Sequence, residues 1–332
     1  MSQTFKYNIV VERRNELVSV ILPWHRADRL LDGAIESVKS SLNIRIQLIL
    51  VDDRAEPLED QWGSQSHLRT YGGGYENALN SAKEFIEGDF TSLMNSDDLI
   101  SPFRFRNQID ALYRDQARLS ITRVIKMTAR GKVKSTNNRN LRNGSLPRES
   151  LLFSSDLANS TWLADSLYWH ENVNFERHGN GSDWLLAAKL SRDIENWSYL
   201  NEELYFYRQH PKQITSNRHP INPSIVQEWS NLNIELGLPK LDGNVGARLI
   251  FLKAKASTLS IDEIGMEQLL IWSTELIRRN PGLARELNRR LSIFFIRNLK
   301  ISHLHDRRAQ HILFSFLTKS MKDWLLKKRW QY

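Results

Sequence analysis

The first half of the sequence alternates short apolar runs with segments whose apolar residues recur at helical spacing. Four runs have the length and apolar character of buried strands, at residues 18–22, 46–51, 90–94 and 119–127. Helices are expected between them, over residues 28–41, after the glycine-rich turn at residues 72–74, and from Ser101 to about Asp115. In the last of these, Ser101 would be the N-cap and Pro102 would lie in the first turn. Strands separated by helices form parallel β-α-β units, so the pattern predicts an α/β protein with a mostly parallel sheet flanked by helices.

Two pairs of adjacent aspartates end predicted strands, Asp52-Asp53 and Asp97-Asp98. Because ligands of parallel sheets bind at the carboxyl ends of the strands, both pairs are expected to point into one crevice. Adjacent carboxylates repel each other and are costly to bury without a compensating positive charge. A divalent cation such as Mg²⁺ or Mn²⁺, bound together with a phosphorylated ligand, would supply that charge. The alternative for an isolated Asp-Asp pair is a solvated turn with an N-cap aspartate, and the pattern alone leaves both open.

Composition excludes several classes of function. The chain has 332 residues and no cysteine, so it is long enough for one large domain or two and cannot form disulfides or thiolate metal sites. Its net charge is +8, but lysine and arginine are spread along the chain, which favours general basicity or a membrane-surface face over a dedicated nucleic-acid groove. The sequence has no apolar run of signal-peptide or membrane-span length, so a cytoplasmic protein is expected.

The character of the sequence changes near residue 220. We therefore predict a first domain over residues 1–220 and a helical C-terminal region over residues 221–332, with helices at 261–280, 282–297 and 309–330. Residues 129–148 are polar and basic and are expected to form a loop or lid. In the tail, Trp324 and Trp330 alternate with lysines and an arginine, a pattern compatible with an amphipathic helix on anionic lipid. The alternative is a helix that packs on the first domain and keeps a solvated basic face.

The order and spacing of the motifs carry a resemblance to a known family. The segments "LVSVILPWHRADRLLDGAIESVKSS", "IQLILVDDRAEP" and "ENALNSAKEFIEGDFTSLMNSDDLISPFRFRNQIDALYRD" resemble the family-2 glycosyltransferases of the GT-A fold. The likeness covers residues 18–115 well and continues more weakly to residue 217. It implies a GT-A, Rossmann-like sheet, a nucleotide-sugar donor and transfer with inversion.

The resemblance implies nucleotide contacts at three strand ends, by Pro23, Trp24, His25, Asp53 and Asp97. Gly74 of the glycine-rich turn, whose backbone could approach a ligand closely, and Asn77 on the next helix are further candidates, and a helix-surface role is the alternative for Asn77. His25 stands where the family often has an aromatic residue stacked on uracil. Asp53 would accept a hydrogen bond from the base, and Asp97 would contact the ribose or the metal shell. For the glycine turn, a simple flexible connection is the alternative.

The resemblance also implies a metal site and a catalytic base. Asp98 would bind Mn²⁺ or Mg²⁺ at the diphosphate, although Ser96 stands where many members carry the first aspartate of a D-x-D motif. Arg208 would pair with the diphosphate, and His210 would be a further metal ligand; a surface strand and loop are the alternative there. Asp183 would deprotonate the acceptor, and the alternative is a carboxylate that only stabilises a helix N-terminus.

The implied function is metal-dependent, inverting transfer of a hexosyl group from a UDP-sugar to a saccharide or lipid-linked saccharide. Surface-polysaccharide or glycolipid assembly at the inner face of the plasma membrane would be its setting. The alternative is a non-catalytic relative that binds nucleotide sugars or glycans, and the presence of Asp183 favours the enzyme. A nucleotidyltransferase or a Rossmann dehydrogenase is disfavoured, because no glycine-rich loop follows the first strand.

Overall fold

The computed structural model describes residues 15–25, 29–54, 64, 66–134, 148–153, 157–176, 181–211, 213, 220–251 and 263–298. The predicted helix at residues 309–330, the aromatic and basic tail, and residues 135–147 of the predicted loop lie outside the described residues.

The strands of the described chain form a single sheet of eight members. They are β1 (Leu17–Trp24), β2 (Arg45–Asp52), β3 (Ser66–Arg69), β4 (Phe90–Leu93), β5 (Leu99–Ile100), β6 (Leu119–Thr128), β7 (Trp162–Asp165) and β8 (Trp197–Gln209). Their order across the sheet is β3-β2-β1-β4-β7-β6-β8-β5. The α/β prediction is thereby confirmed.

Strand direction differs in part from the parallel arrangement expected. β1 to β4 are parallel, and β6 is parallel to β8, as β-α-β connections require. β7 runs antiparallel between β4 and β6, and β5 runs antiparallel to β8. These two strands are short and were not predicted from the sequence, so the mixed character of the sheet could not be foreseen. The carboxyl ends of β1, β2, β4 and β8 nevertheless lie at the same edge.

Helices pack on both faces of the sheet. They are α1 (Arg29–Lys39), α2 (Tyr75–Ser81), α3 (Arg104–Asp115), α4 (Ser166–Asn172), α5 (Ser182–Leu190), α6 (Pro223–Glu235), α7 (Gly243–Ile250), α8 (Glu263–Arg279) and α9 (Ala284–Asn298). A short 3₁₀ helix, Ala82–Phe85, extends α2.

Helix α3 starts later than its sequence predicts. The backbone N–H of Ser101 donates to the carbonyl of Leu204 at 2.9 Å, so the chain stays attached to the sheet edge at that residue. A turn from Ser101 to Arg104 follows, and Phe103 rather than Ser101 occupies the N-cap position. The N-cap position thus lies two residues after the predicted one, although the Ser101 hydroxyl still accepts from the Phe103 N–H at 3.3 Å in the turn that leads into the helix.

The alternation of side chains along the strands builds a core on each face. Val18, Val20 and Leu22 pack with the apolar residues of α1 and α3 on one face. Ile21 faces the other side, where α2 and α4 to α9 share one continuous apolar cluster. The C-terminal helices are part of this second core, because the Trp229 indole of α6 donates to the Leu152 carbonyl at 2.8 Å. No helix in the described ranges is long and apolar enough to cross a membrane.

Candidate active site

The ends of β1 and β2 are built around a buried ion pair. Asp52 is fully buried, and its two carboxylate oxygens accept hydrogen bonds from Nε and Nη2 of Arg54, each at 2.8 Å. The same guanidinium lies over the Trp24 ring, 4.2 Å from the ring centroid. Trp24 and Pro23 are buried, whereas His25 at the end of β1 is exposed. Of the three residues expected beside the base, His25 is thus the one that a ligand from solvent reaches.

Asp53 holds the glycine-rich turn in place. Its carboxylate accepts hydrogen bonds from the Thr70 hydroxyl at 2.6 Å and from the Gly74 N–H at 3.0 Å. Gly74 has a φ of +94°, a backbone conformation that favours glycine. Asn77 is exposed on the first turn of α2. Because a carboxylate has about four acceptor positions, Asp53 keeps capacity for a ligand.

Asp98 lies inside the protein. One carboxylate oxygen accepts from the Arg208 backbone N–H at 2.7 Å, and the other accepts from the Tyr205 hydroxyl at 2.7 Å and from Asn95 Nδ2 at 3.0 Å. Burial, assisted by the neighbouring charge of Asp97, raises the pKa of Asp98 to about 7, and the three hydrogen bonds oppose this rise. These contacts tie the turn after β4 to strand β8.

The Asp97 side chain, unlike that of Asp98, is partly exposed, and it contacts His210. Its side chain is 28% exposed, that of His210 is 13% exposed, and Asp97 Oδ2 lies 2.9 Å from His210 Nε2. Arg208 secures this turn, because its Nε donates to the Asp97 carbonyl at 2.8 Å and its Nη1 donates to the Ala129 carbonyl at 3.0 Å. Considering only residues that the structure describes, no cluster of three or more His, Asp or Glu side chains has the spacing of a metal site.

Each aspartate pair therefore contains one buried residue and one partly exposed residue. This corrects the expectation that both pairs point entirely into one crevice. Asp52 and Asp53 are successive residues at the end of β2 and project to opposite sides. Asp97 and Asp98 lie in the turn between β4 and β5, and there Asp98 is the residue that faces inward. Inside the protein, a carboxylate must find hydrogen-bond donors, which Arg54 supplies to Asp52 and Tyr205 and Arg208 supply to Asp98.

Asp183 lies in the first turn of α5. Gly181 precedes the helix with a φ of +97°, and the Asp183 carboxylate accepts from the Trp184 backbone N–H at 2.8 Å. Trp184 is buried and donates its indole N–H to the Leu151 carbonyl at 3.0 Å, which anchors the start of the helix. Burial raises the pKa of Asp183 above its usual range, and the hydrogen bonds with backbone N–H groups oppose this rise.

Tyr75, the first residue of α2, connects these segments and was missed by the sequence reasoning. Its hydroxyl donates to Asn95 Oδ1 at 3.3 Å and accepts from Asn159 Nδ2 at 3.4 Å. Burial raises the pKa of Tyr75 above its ordinary value, the hydrogen bond from Asn159 opposes this, and the negative charges of Asp183, Glu76 and Asp98 add to the rise. An aromatic residue at a helix start usually indicates core packing, and the signal that could have revealed Tyr75 is its position directly after Gly74.

Comparisons with known proteins bear on the family and the fold. The model of glycosyl transferase family 2 matches residues 19–164. No curated protein sequence matches the chain significantly.

The fold resembles that of S. aureus TarS. TarS 1-349 in complex with UDP-GlcNAc aligns at a TM-score of 0.55 with 12% identity, over 90% of this chain and 91% of that one. TarS 1-349 in complex with UDP aligns at a TM-score of 0.51 with 14% identity, over 90% of this chain and 88% of the TarS chain. A longer TarS structure aligns at a TM-score of 0.52 with 13% identity, and this chain spans 55% of the length of that TarS chain. Residues 19–164 thus match the glycosyl transferase family 2 model, in a chain that has the GT-A fold.

Proposed function

We propose that this protein is an inverting glycosyltransferase that moves a hexosyl group from a UDP-sugar to an acceptor hydroxyl. The family match supports glycosyl transfer, and the likeness to TarS solved with UDP-GlcNAc and with UDP supports a uridine donor. One observation carries the proposal: the Tyr75 hydroxyl hydrogen-bonds to Asn95, at the start of the turn of Asp97 and Asp98, and the charge of Asp183 adds to the rise in the pKa of that hydroxyl. We therefore place the base and the leaving-group site on either side of this hydroxyl.

A divalent cation, Mn²⁺ or Mg²⁺, completes the proposal, and the residues present fit it. Asp97 and His210 bring a carboxylate oxygen and an imidazole nitrogen within 2.9 Å of each other, and both are partly exposed. Such ions commonly bind through one or two carboxylates together with substrate phosphates. We assign the ion to Asp97 and His210 rather than to Asp98, whose oxygens are occupied inside the protein. When bound, the ion would neutralise negative charge on the diphosphate.

In this mechanism, Asp183 accepts the proton of the acceptor hydroxyl. The acceptor oxygen then bonds to the anomeric carbon on the face opposite the diphosphate, and the bond from that carbon to the diphosphate oxygen breaks. The electron pair of the broken bond leaves with the diphosphate, beside which we place the positive charge of Arg208. The raised pKa of Asp183 suits this role, because a carboxylate of higher pKa is a stronger base. Asp53, Gly74, Asn77 and His25 would hold the nucleotide.

For the acceptor we propose a saccharide or a lipid-linked saccharide of surface-polysaccharide or glycolipid assembly. The net charge of +8 supports contact with an anionic membrane surface from the cytoplasmic side. Flotation of the full chain with vesicles of anionic and of neutral lipid tests this part. Equal recovery with both vesicle types would contradict membrane contact through charge.

A thermal-shift experiment with UDP, GDP, CDP and dTDP, each with and without Mn²⁺, tests the donor and the metal together. A ligand that binds only the native state raises the melting temperature, so we expect a Mn²⁺-dependent rise with UDP. Asp97→Asn should remove the dependence on Mn²⁺, while the exposed Asp110→Asn serves as the matched control. No shift with any nucleotide would contradict the proposal. Binding without transfer to any glycan acceptor would favour a non-catalytic sugar-nucleotide-binding protein.

A further inference from the structure

We infer that Tyr75 contacts the sugar being transferred and determines which nucleotide sugar the protein prefers. This inference rests on the proposed function and adds a residue to it that the family motifs do not indicate.

The position of Tyr75 follows from its connections. Its backbone continues directly from Gly74, whose N–H is fixed by Asp53 on the nucleotide side. Its hydroxyl meets Asn95, at the start of the turn that carries Asp97, and lies within the electrostatic reach of Asp183. In a transfer reaction, the sugar must lie between the diphosphate and the base. We place the sugar beside the Tyr75 hydroxyl, which connects the glycine-rich turn held by Asp53 with the turn that carries Asp97.

The contacts of this hydroxyl are easily exchanged. Its distances to Asn95 Oδ1 and Asn159 Nδ2, 3.3 and 3.4 Å, are at the long end for hydrogen bonds. Both partners are amide side chains, which offer donors as well as acceptors. Tyr75, Asn95 and Asn159 therefore form a polar group. Each of these side chains can give up a hydrogen bond to another member of the group and form one with a sugar hydroxyl instead. The raised pKa of Tyr75 keeps its proton in place, so it can donate at the pH at which enzymes work.

Asn80 and Asp98 keep this group in position. Asn80, later in the same helix, donates to the Phe175 carbonyl at 2.8 Å and accepts from the Phe175 N–H at 3.0 Å, which fixes α2 against that segment. Asp98 accepts from Asn95 Nδ2 at 3.0 Å and orients that amide. A rigid hydroxyl that hydrogen-bonds to one sugar epimer rejects the other, because the mismatched pair leaves a polar group unsatisfied.

Tyr75→Phe tests the inference with a readout that needs no acceptor. Affinities for UDP, UDP-glucose, UDP-galactose, UDP-N-acetylglucosamine and UDP-N-acetylgalactosamine are measured with Mn²⁺ on the full chain. We expect the wild type to prefer one sugar and Tyr75→Phe to reduce that preference about 10-fold, with affinity for UDP changed less than about 2-fold. Asn159→Ala should act in the same direction through loss of the donor to Tyr75. The matched control is Tyr71→Phe in the same turn, where the side chain is 66% exposed, and it should keep the preference.

The outcomes separate this inference from the proposed function. If Tyr75→Phe keeps the wild-type preference, if the wild type binds all four sugars equally, or if affinity for UDP falls in parallel, the assignment of Tyr75 is overturned and UDP-sugar binding still stands. If the wild type binds neither UDP nor any UDP-sugar, the proposed function is overturned, and the inference with it.

Discussion

At the scale of single residues, the Tyr205 hydroxyl joins the two halves of the site. It donates to Asp98 at 2.7 Å and accepts from the Asn95 backbone N–H at 3.3 Å. The ring also lies 5.1 Å from the guanidinium of Arg104, which is fully buried between the sheet and α3. Tyr205 thus connects strand β8 with the turn after β4.

Tyr205→Phe should lower both stability and cation affinity. The substitution leaves a buried Asp98 oxygen with one donor fewer, which costs about 1–3 kcal/mol of the free energy of unfolding. The turn that carries Asp97 is then held less firmly, so we also expect weaker Mn²⁺ binding. Urea denaturation and Mn²⁺ titration measure the two effects, with Tyr71→Phe as control. A change in unfolding free energy below about 0.5 kcal/mol would show that the Tyr205 hydroxyl does not hold the turn.

Asp183 should determine the acidic side of the pH–rate profile. The proposed base works only when ionised, so activity is lost as the pH falls through its pKa, which burial raises above the usual value of about 3.9. Asp183→Asn should lower kcat about 100-fold or more and leave UDP affinity unchanged. The measurement is UDP release against pH, with Asp110→Asn as the control. An unchanged kcat in Asp183→Asn would refute the assigned base.

The same pKa shift has a consequence for stability. Because the folded-state pKa of Asp183 lies above the unfolded value, the protonated carboxyl favours the folded protein. This contribution is complete below about pH 4 and is lost as the pH rises through the folded-state pKa. Asp183→Asn should therefore flatten the dependence of the unfolding free energy on pH over that interval.

At this scale, the sequence predicted positions better than orientations. The placement of Asp53 directly after β2 and of Asp97 in the turn after β4 follows from the strand pattern and from the rule for ligands of parallel sheets. Which aspartate of a pair faces inward could not be predicted, because it depends on donors from elsewhere in the chain. Tyr205, for example, is 107 residues from Asp98.

At the scale of elements, α7 packs closely on α6 through a glycine. A Cβ atom at Gly246 would lie only 2.2 Å from the Trp229 ring, whereas one at Gly282 would have no neighbour within 4 Å. Gly246→Ala should therefore lower the free energy of unfolding by about 1–3 kcal/mol through overpacking. Gly282→Ala should change it by less than about 1 kcal/mol. Calorimetric melting of both variants checks the contrast, and equal effects would contradict the close contact.

Length and periodicity explain which elements were predictable. β1, β2 and α1 are long and strongly patterned, and their predicted ends agree with the structure to within about two residues, as is usual for such elements. β5 has two residues and β7 has four, too few for an alternation to be recognised. Their pairing is decided by neighbouring strands rather than by their own sequence.

At the scale of the whole molecule, the helices after residue 220 share a core with the sheet. Trp229 binds the Leu152 carbonyl, and Arg192 contacts both Glu228 and Glu235 of α6. We therefore expect the chain to unfold in one cooperative transition that UDP shifts as a unit. Agreement between calorimetric and van't Hoff enthalpies checks this. Two separate transitions, of which UDP moves only one, would contradict a shared core.

The contacts between these helices and the rest of the protein could not be predicted from the sequence. The helices α8 and α9 were predicted from their periodicity at almost their observed positions. Their contacts depend on tertiary partners such as Trp272, whose ring centroid lies 5.9 Å from that of Trp229. A helical pattern identifies an apolar face but not the surface that covers it.

The glycine-rich turn has one more consequence, which concerns the kinetics of binding. Thr70 and Gly74 are bound to Asp53 by contacts within the protein itself. A donor molecule therefore meets a turn that has lost most of its conformational entropy during folding. Association then needs little ordering of the backbone at this point, so diffusion and orientation of the donor, rather than closure of the turn, would limit its on-rate here.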